Sequence, residues 1–361
     1  MMRTQINREN KKGCSAVYEQ SFFSREGGKC LKRDDAMDYM KGFLVIGMVY
    51  THIMQFFSDV AVYLATVFSI ELFNLITFSG FIFCFGYVNE LAYYRKKFSD
   101  VYMKMLVTSL KTLVTFYISG LAYQIYVNSM PPDSITIVPV LLLQEIPGWS
   151  EFLLSFSLIM LMGLILFPII NWLKMRKVLF WLVTFALLFS TFIDYSMIES
   201  PYLGLLIGTE LFPTFPVIQY LPFYLIGIYF AKYRIIFKWK YLIGAISGTA
   251  IFIFYLVQNE WQLPIRFPPS IYWVVGSTFC LYIYYLVSKF LEKQKFELTL
   301  LKGMGKNALF YLVMSNIFIF SLDNALEAMI IGPGAGLLFT FVLLLLISFL
   351  NSISTYTKRR T

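Results

Sequence analysis

His52 is the single histidine of this 361-residue chain. It lies inside the first long apolar stretch, in the segment RDDAMDYMKGFLVIGMVYTHIMQFF from Arg33 to Phe57. An ionisable side chain within a membrane span costs about 2.5–3.5 kcal/mol on insertion scales, which makes it a functional candidate by default. Imidazole exchanges protons near neutral pH, so it suits proton transfer. The plainer alternative is a histidine that only packs between helices through hydrogen bonds. Lys41 stands eleven positions earlier. Eleven residues advance a helix by three turns plus roughly 20°, so both side chains project from nearly the same face, about 16 Å apart along the axis. Lys41 alone also reads as a snorkelling anchor.

An acid would help to orient the imidazole. Glu71, in SIELFNL of the second apolar stretch, is costly there unless paired, and it enters from the same side as His52. A hydrogen bond from Glu71 to some other helix fits equally well. Asn74, Thr77 and Ser79 share that stretch and could line a polar cavity. Further acidic residues (Glu145, Glu151, Asp194, Glu199, Glu210, Glu260, Asp323) lie in links, with Trp149, Tyr195, Tyr202 and Trp261 beside them. Carboxylates beside aromatics suit sugars, and they equally suit an interfacial belt. No metal is expected: one histidine and the scattered Cys14, Cys30, Cys84 and Cys280 give no zinc or iron spacing.

These side chains need a frame of membrane helices. Hydrophobic residues make up 58% of the chain and charged residues 14%, and the mean hydropathy is +0.67. A soluble protein of this size could not hide so much apolar surface. The net charge of +9 does not point to nucleic acid, because the basic residues fall in short clusters between apolar stretches. Ten such stretches, about 36–57, 62–88, 103–127, 151–173, 178–194, 213–231, 241–258, 270–288, 306–322 and 333–354, are long enough or nearly so to cross a bilayer. Residues 136–147 are too short and suit a re-entrant piece, and 201–212 is ambiguous.

Lys and Arg set the orientation. Basic clusters occupy the tail before residue 34, then Arg95–Lys97 with Lys104, then Lys174–Lys177, Lys232–Lys240, Lys289–Lys306 and Lys358–Arg360. The links between them carry none, apart from Arg266. This alternation predicts an all-α bundle of about ten spans with both termini cytoplasmic. Residues 1–33 are expected to form a basic, disordered cytoplasmic tail that can touch anionic lipid. The membrane domain covers 34–355, and 356–361 is a basic cytoplasmic end. No cleavable leader is visible, so the first span is expected to target the chain.

Three motifs point to a family. They are Asp38-Tyr39-Met40-Lys41-Gly42 followed by an apolar run and His52, then Phe78-Ser79-Gly80-Phe81, then Gly305-Lys306-Asn307-Ala308-Leu309-Phe310-Tyr311-Leu312. On these the chain resembles the acyltransferase-3 family, integral membrane O-acyltransferases of surface polysaccharides. That family carries Arg or Lys, ten residues and then His on its first span. Two departures stand out. The family often has a histidine soon after the late Tyr-Leu, where this chain has Val313-Met314-Ser315-Asn316, and Asn316 can hydrogen-bond but not titrate. The family's paired arginines appear only loosely, as Arg95-Lys96-Lys97.

The resemblance implies acetyl-CoA as acyl donor from the cytoplasm and a hydroxyl of an outward-facing or lipid-linked glycan as acceptor. His52 would be the catalytic base or acyl carrier, with Glu71 as its possible partner. Lys41, Arg95 and Lys97 would contact donor phosphates. The expected setting is a plasma membrane, such as a bacterial inner membrane, with its lipid as partner. Two alternatives remain open, the first by a further resemblance and the second from the residues. One is a transmembrane N-acetyltransferase of an amino sugar, which shares the first-span Asp-x-x-Lys/Arg-Gly start. The other is a transporter or flippase of lipid-linked sugars.

Overall fold

The first long helix shows how the frame is set. Asp34 caps α1 (Asp35–Phe57) by accepting from the Ala36 N–H at 3.2 Å, and Asp35 and Asp38 stand in its first turn, where acidic groups favour the helix dipole. In the computed structural model, residues 25–26, 29–30, 34–59, 61–326 and 329–360 are described. Apart from the strands β1 (Arg25–Glu26) and β2 (Lys29–Cys30), which pair antiparallel, the rest of the tail expected to be disordered lies outside the described residues.

Helix α2 (Leu64–Asn89) runs on through a π turn, Glu90–Tyr94, into α3 (Phe98–Tyr126). The short α4 (Ser134–Leu141) follows, then α5 (Glu151–Ile165) and α6 (Phe167–Leu173). Next come α7 (Lys177–Leu188), α8 (Pro201–Ile207), α9 (Val217–Lys232) and α10 (Trp239–Gln258). The chain continues through α11 (Ile271–Gly276), α12 (Thr278–Lys293) and α13 (Thr299–Lys306) to α14 (Ala308–Ala325) and α15 (Pro333–Arg360).

The architecture is a helical membrane bundle. Among the described residues seven helices are long and apolar enough to cross a bilayer, and α5 with α6, bent by 74°, would make an eighth. Pro168 opens α6 at that bend, where its missing N–H and its ring break the helical ladder. All ten predicted stretches are helical, but α7 with its extension to Phe192 and α9 are short. Sixteen residues of helix reach about 24 Å, less than a hydrocarbon core of about 30 Å. The piece at 136–147 holds α4, capped by the Asp133 carboxylate.

Helix α1 is the most enclosed span: 72% of its apolar window is buried, against 11% for α10. It touches α2, α12, α13, α14 and α15. Its closest neighbour is α13. A methyl group added at Gly305 would strike the Asp38 backbone, and one at Gly42 would strike Leu301. Small residues thus let the first and last of the three motifs clasp backbone to backbone. Between α3 and α5, Ser109 and Ser157 each donate a hydroxyl hydrogen to the other's carbonyl at 2.9 Å, another packing device suited to a membrane.

Four basic links meet where α1 begins. Lys289 pairs with Asp34 at 2.7 Å and Lys302 with Asp35 at 2.5 Å. The Tyr87 hydroxyl also donates to Asp34. One turn further along α2, Glu90 holds Lys174 at 2.7 Å and Arg95 at 3.6 Å. The Lys174 ammonium also donates to the Tyr94 carbonyl, and Lys232 donates to the Lys174 carbonyl.

Candidate functional site

His52 lies near the opposite end of α1 and is 8% exposed. It borders a cavity of about 220 Å³. Helix α1 contributes Thr51, His52 and Gln55, and α2 contributes Asn74, Thr77 and Phe78. The link into α5 brings Gly148 and Trp149, and Glu151 opens that helix. Phe215, ahead of α9, and Arg266 with Phe267, between α10 and α11, complete the wall.

The tautomer of His52 follows from its neighbour. His52 Nδ1 is 2.9 Å from Asn316 Oδ1. The Asn316 amide nitrogen donates to Ser119 Oγ and to the Trp149 carbonyl, both at 3.0 Å. A carbonyl only accepts, so the amide nitrogen must face Trp149 and the amide oxygen must face His52. That oxygen cannot donate either, so Nδ1 carries the hydrogen. In neutral His52 the free lone pair is therefore on Nε2. Ser119 and Asn316 are both fully buried.

Trp149 is held in a costly conformation to make this contact. Its φ is 56°, in the left-handed region that a bulky residue seldom enters. Its indole N–H donates to Gln55 Oε1 at 3.0 Å, and its ring packs against Phe56 and Tyr123. The indole thus ties the link to α1 while the carbonyl ties it to α14. Strain of this kind clusters at functional sites.

Several polar atoms at the cavity have no partner among the described residues: Glu151 Oε2, Arg266 Nε and Asn74 Nδ2 are buried without a hydrogen bond. Arg266 stands over aromatic rings, its guanidinium carbon 4.6 Å from the Phe267 ring centre and 5.3 Å from that of Phe215. Burial pushes the Arg266 pKa below its usual value, and the charges of Glu151, Tyr220 and Glu71 pull it back.

The expected site residues are distributed as follows. His52 borders the cavity. Glu71 does not line it, and the ring contact proposed for Glu71 is made by Asn316. Lys41 pairs with Asp38 at 3.1 Å on its own helix. Arg95 is engaged by Glu90 and donates to the Ala231 carbonyl at 3.0 Å. Lys97 is exposed at the start of α3. A phosphate at Lys41 or Arg95 would compete with a carboxylate already in place. At that same end a second cavity, about 510 Å³, is lined by Lys295, Lys302 and Lys306 together with Asp35, Glu292 and Glu297. Among the described residues no group of three or more His, Cys, Asp or Glu is arranged to hold a metal.

Asn316 and Arg266 are the two residues that sequence reasoning passed over. Asn316 appeared only as a departure from a family pattern. Arg266 had a usable signal, being the one cation in the links that otherwise carry none. Comparisons with family models, with curated proteins and with solved structures give no match to this chain.

Proposed function

We propose that the chain is a membrane acyltransferase that moves an acetyl group from cytoplasmic acetyl-CoA to a hydroxyl of an outward-facing or lipid-linked glycan. The observation that carries this reading is the Asn316–His52 hydrogen bond, which leaves Nε2 as a base beside a cavity with polar walls. In the proposed step, Nε2 takes the proton of the acceptor hydroxyl as its oxygen attacks the thioester carbonyl. The carbon–sulfur bond breaks, and the departing thiolate takes the proton back from the imidazolium. Resemblance to the acyltransferase-3 family, through Lys41 with His52 and the two later motifs, supplies the donor.

The topology belongs to the same proposal. Ten crossings with both termini cytoplasmic, in a bacterial plasma membrane, require the bent α5–α6 pair and the short α7 and α9 to cross as well. Four basic links gathered at the start of α1 support that orientation under the positive-inside rule. The donor's phosphates would approach that end, where Lys295, Lys302 and Lys306 line the larger cavity.

The test is purified protein in detergent with labelled acetyl-CoA, comparing wild type with His52→Ala. His52→Ala is expected to lower transfer or hydrolysis by about 10²–10⁴-fold while acetyl-CoA still binds. Wild-type turnover in that variant would overturn the proposal.

A further inference from the structure

Arg266 is the only Lys or Arg between Lys240 and Lys289, and the one exception to the alternation of basic and non-basic links. A cation on the side where the pattern admits none needs a reason of its own. Its surroundings do not supply one. Among the described residues it makes no ion pair and no hydrogen bond, and its Nε is buried without a partner. The rings of Phe267, Phe215 and Trp273 stand 4.6, 5.3 and 5.9 Å from the guanidinium carbon. Aromatic faces exclude water and hold the guanidinium, but they accept no hydrogen bond in the plane of its N–H groups, and no carboxylate among the described residues is in contact with it.

Among the described residues Glu151 is the one carboxylate lining the same cavity, and it forms no ion pair with Arg266. It is 8% exposed and its Oε2 has no partner. A buried guanidinium and a buried carboxyl group therefore share one small chamber with no ion pair between them. Native proteins leave few buried polar groups unsatisfied, and those that remain ask for an explanation. Here three of them, on three separate segments, border one space of about 220 Å³, roughly the size of a single sugar ring.

We infer that this cavity binds a sugar-sized polyol bearing an anionic group, with Arg266 pairing with that anion. A guanidinium presents its donors as a planar fork that matches a carboxylate or phosphate. Glu151 accepts from the ligand's hydroxyls, Asn74 donates to a ring or hydroxyl oxygen, and Trp149 offers an apolar face. His52 Nε2 is then left to the hydroxyl that reacts. This deepens the proposed acyl transfer by giving the acceptor a charge, and it rests on that reading only in taking the cavity as the acceptor's place.

The test reads binding, so it can fail independently of catalysis. Full-length protein in lipid nanodiscs is titrated with glucuronate, glucose 6-phosphate and glucose, and binding is followed by saturation-transfer NMR. At least one of the two acids is expected to bind about tenfold or more tighter than glucose, and Arg266→Gln is expected to erase that advantage. Which acid prefers the site separates a carboxylate ligand from a phosphate one. Arg266→Lys keeps the charge and is expected to retain part of the preference, which provides a second reading if Arg266→Gln fails to fold. Equal affinity for glucose and both acids in the wild type would overturn the inference, as would acid binding that survives in Arg266→Gln. Acid binding without acetyl transfer would leave this inference standing and sink the acyltransferase reading. Transfer to neutral sugars without any preference for acids would do the reverse.

Discussion

Asn316 Oδ1 accepts a hydrogen bond from His52 Nδ1 at 2.9 Å, across 264 positions of sequence. The amide is locked by its own donations to Ser119 and to the Trp149 carbonyl. One asparagine thus joins α1, α3, α14 and the link before α5, and it decides which imidazole nitrogen keeps the free lone pair.

The first prediction concerns that amide. Asn316→Leu leaves the His52 Nδ1 hydrogen without its acceptor and frees the ring to turn. Transfer is expected to fall by about 10–100-fold, the usual effect of losing a group that orients a functional histidine. Asn316→Asp is not a conservative change, because a carboxylate cannot donate to the Trp149 carbonyl. Leaving that buried carbonyl unsatisfied is expected to cost about 1–3 kcal/mol of stability, read as a lowered unfolding midpoint in detergent. Full activity in Asn316→Leu would remove the orienting role.

The second concerns the clasp between α1 and α13. Gly305→Leu forces a side chain against the Asp38 backbone. The expected cost is about 1–3 kcal/mol, seen in thermal unfolding. Gly303 provides the control, since a Cβ there meets open space. Gly303→Leu is expected to leave the midpoint within error. Equal effects at the two positions would contradict the packing described.

The third concerns the buried ions beneath the π turn. Glu90 is 2% and Lys174 8% exposed as side chains, and they are 2.7 Å apart. Glu90→Gln strands the Lys174 charge, and breaking such a pair costs about 3–5 kcal/mol. The double variant Glu90→Gln with Lys174→Met removes both charges and is expected to recover much of that loss. A double variant as unstable as Glu90→Gln alone would show that the pair is not the source of the effect.

The fourth tests the crossings. Met175 and Glu199 flank α7, and both are exposed. Cysteines placed there are treated on intact cells with a maleimide that does not cross membranes. Labelling at 199 with protection at 175 is expected if α7 crosses and the basic links are cytoplasmic. Labelling at both sites or at neither would mean that α7 does not cross, and the count of ten would fall.

The helical frame was legible in the sequence because its causes are local. A run of apolar residues must satisfy its backbone within itself, and so becomes a helix wherever it lies. All ten stretches are helical for this reason. The bend at Pro168 and the short reach of α7 and α9 depend on a single residue or a few ångströms, which hydropathy averages out. The signal at His52 was equally direct: one ionisable ring in an apolar run is visible without a fold.

The partners of that ring were not legible. Glu71 is close to His52 in sequence and carries the chemistry expected of an orienting acid, yet Asn316 makes the contact. Which side chains meet is set by helix rotation and by close approaches such as that of Gly305 on Asp38, and no local pattern encodes these. Arg266 shows the division within one residue. The charge pattern alone marked it as an exception, but only packing brought it beside Glu151 and His52. Composition and spacing decided which segments are helical and where an ionisable group is costly. Tertiary structure decided which groups share a cavity, because long-range contacts arise from whole helix surfaces fitting together.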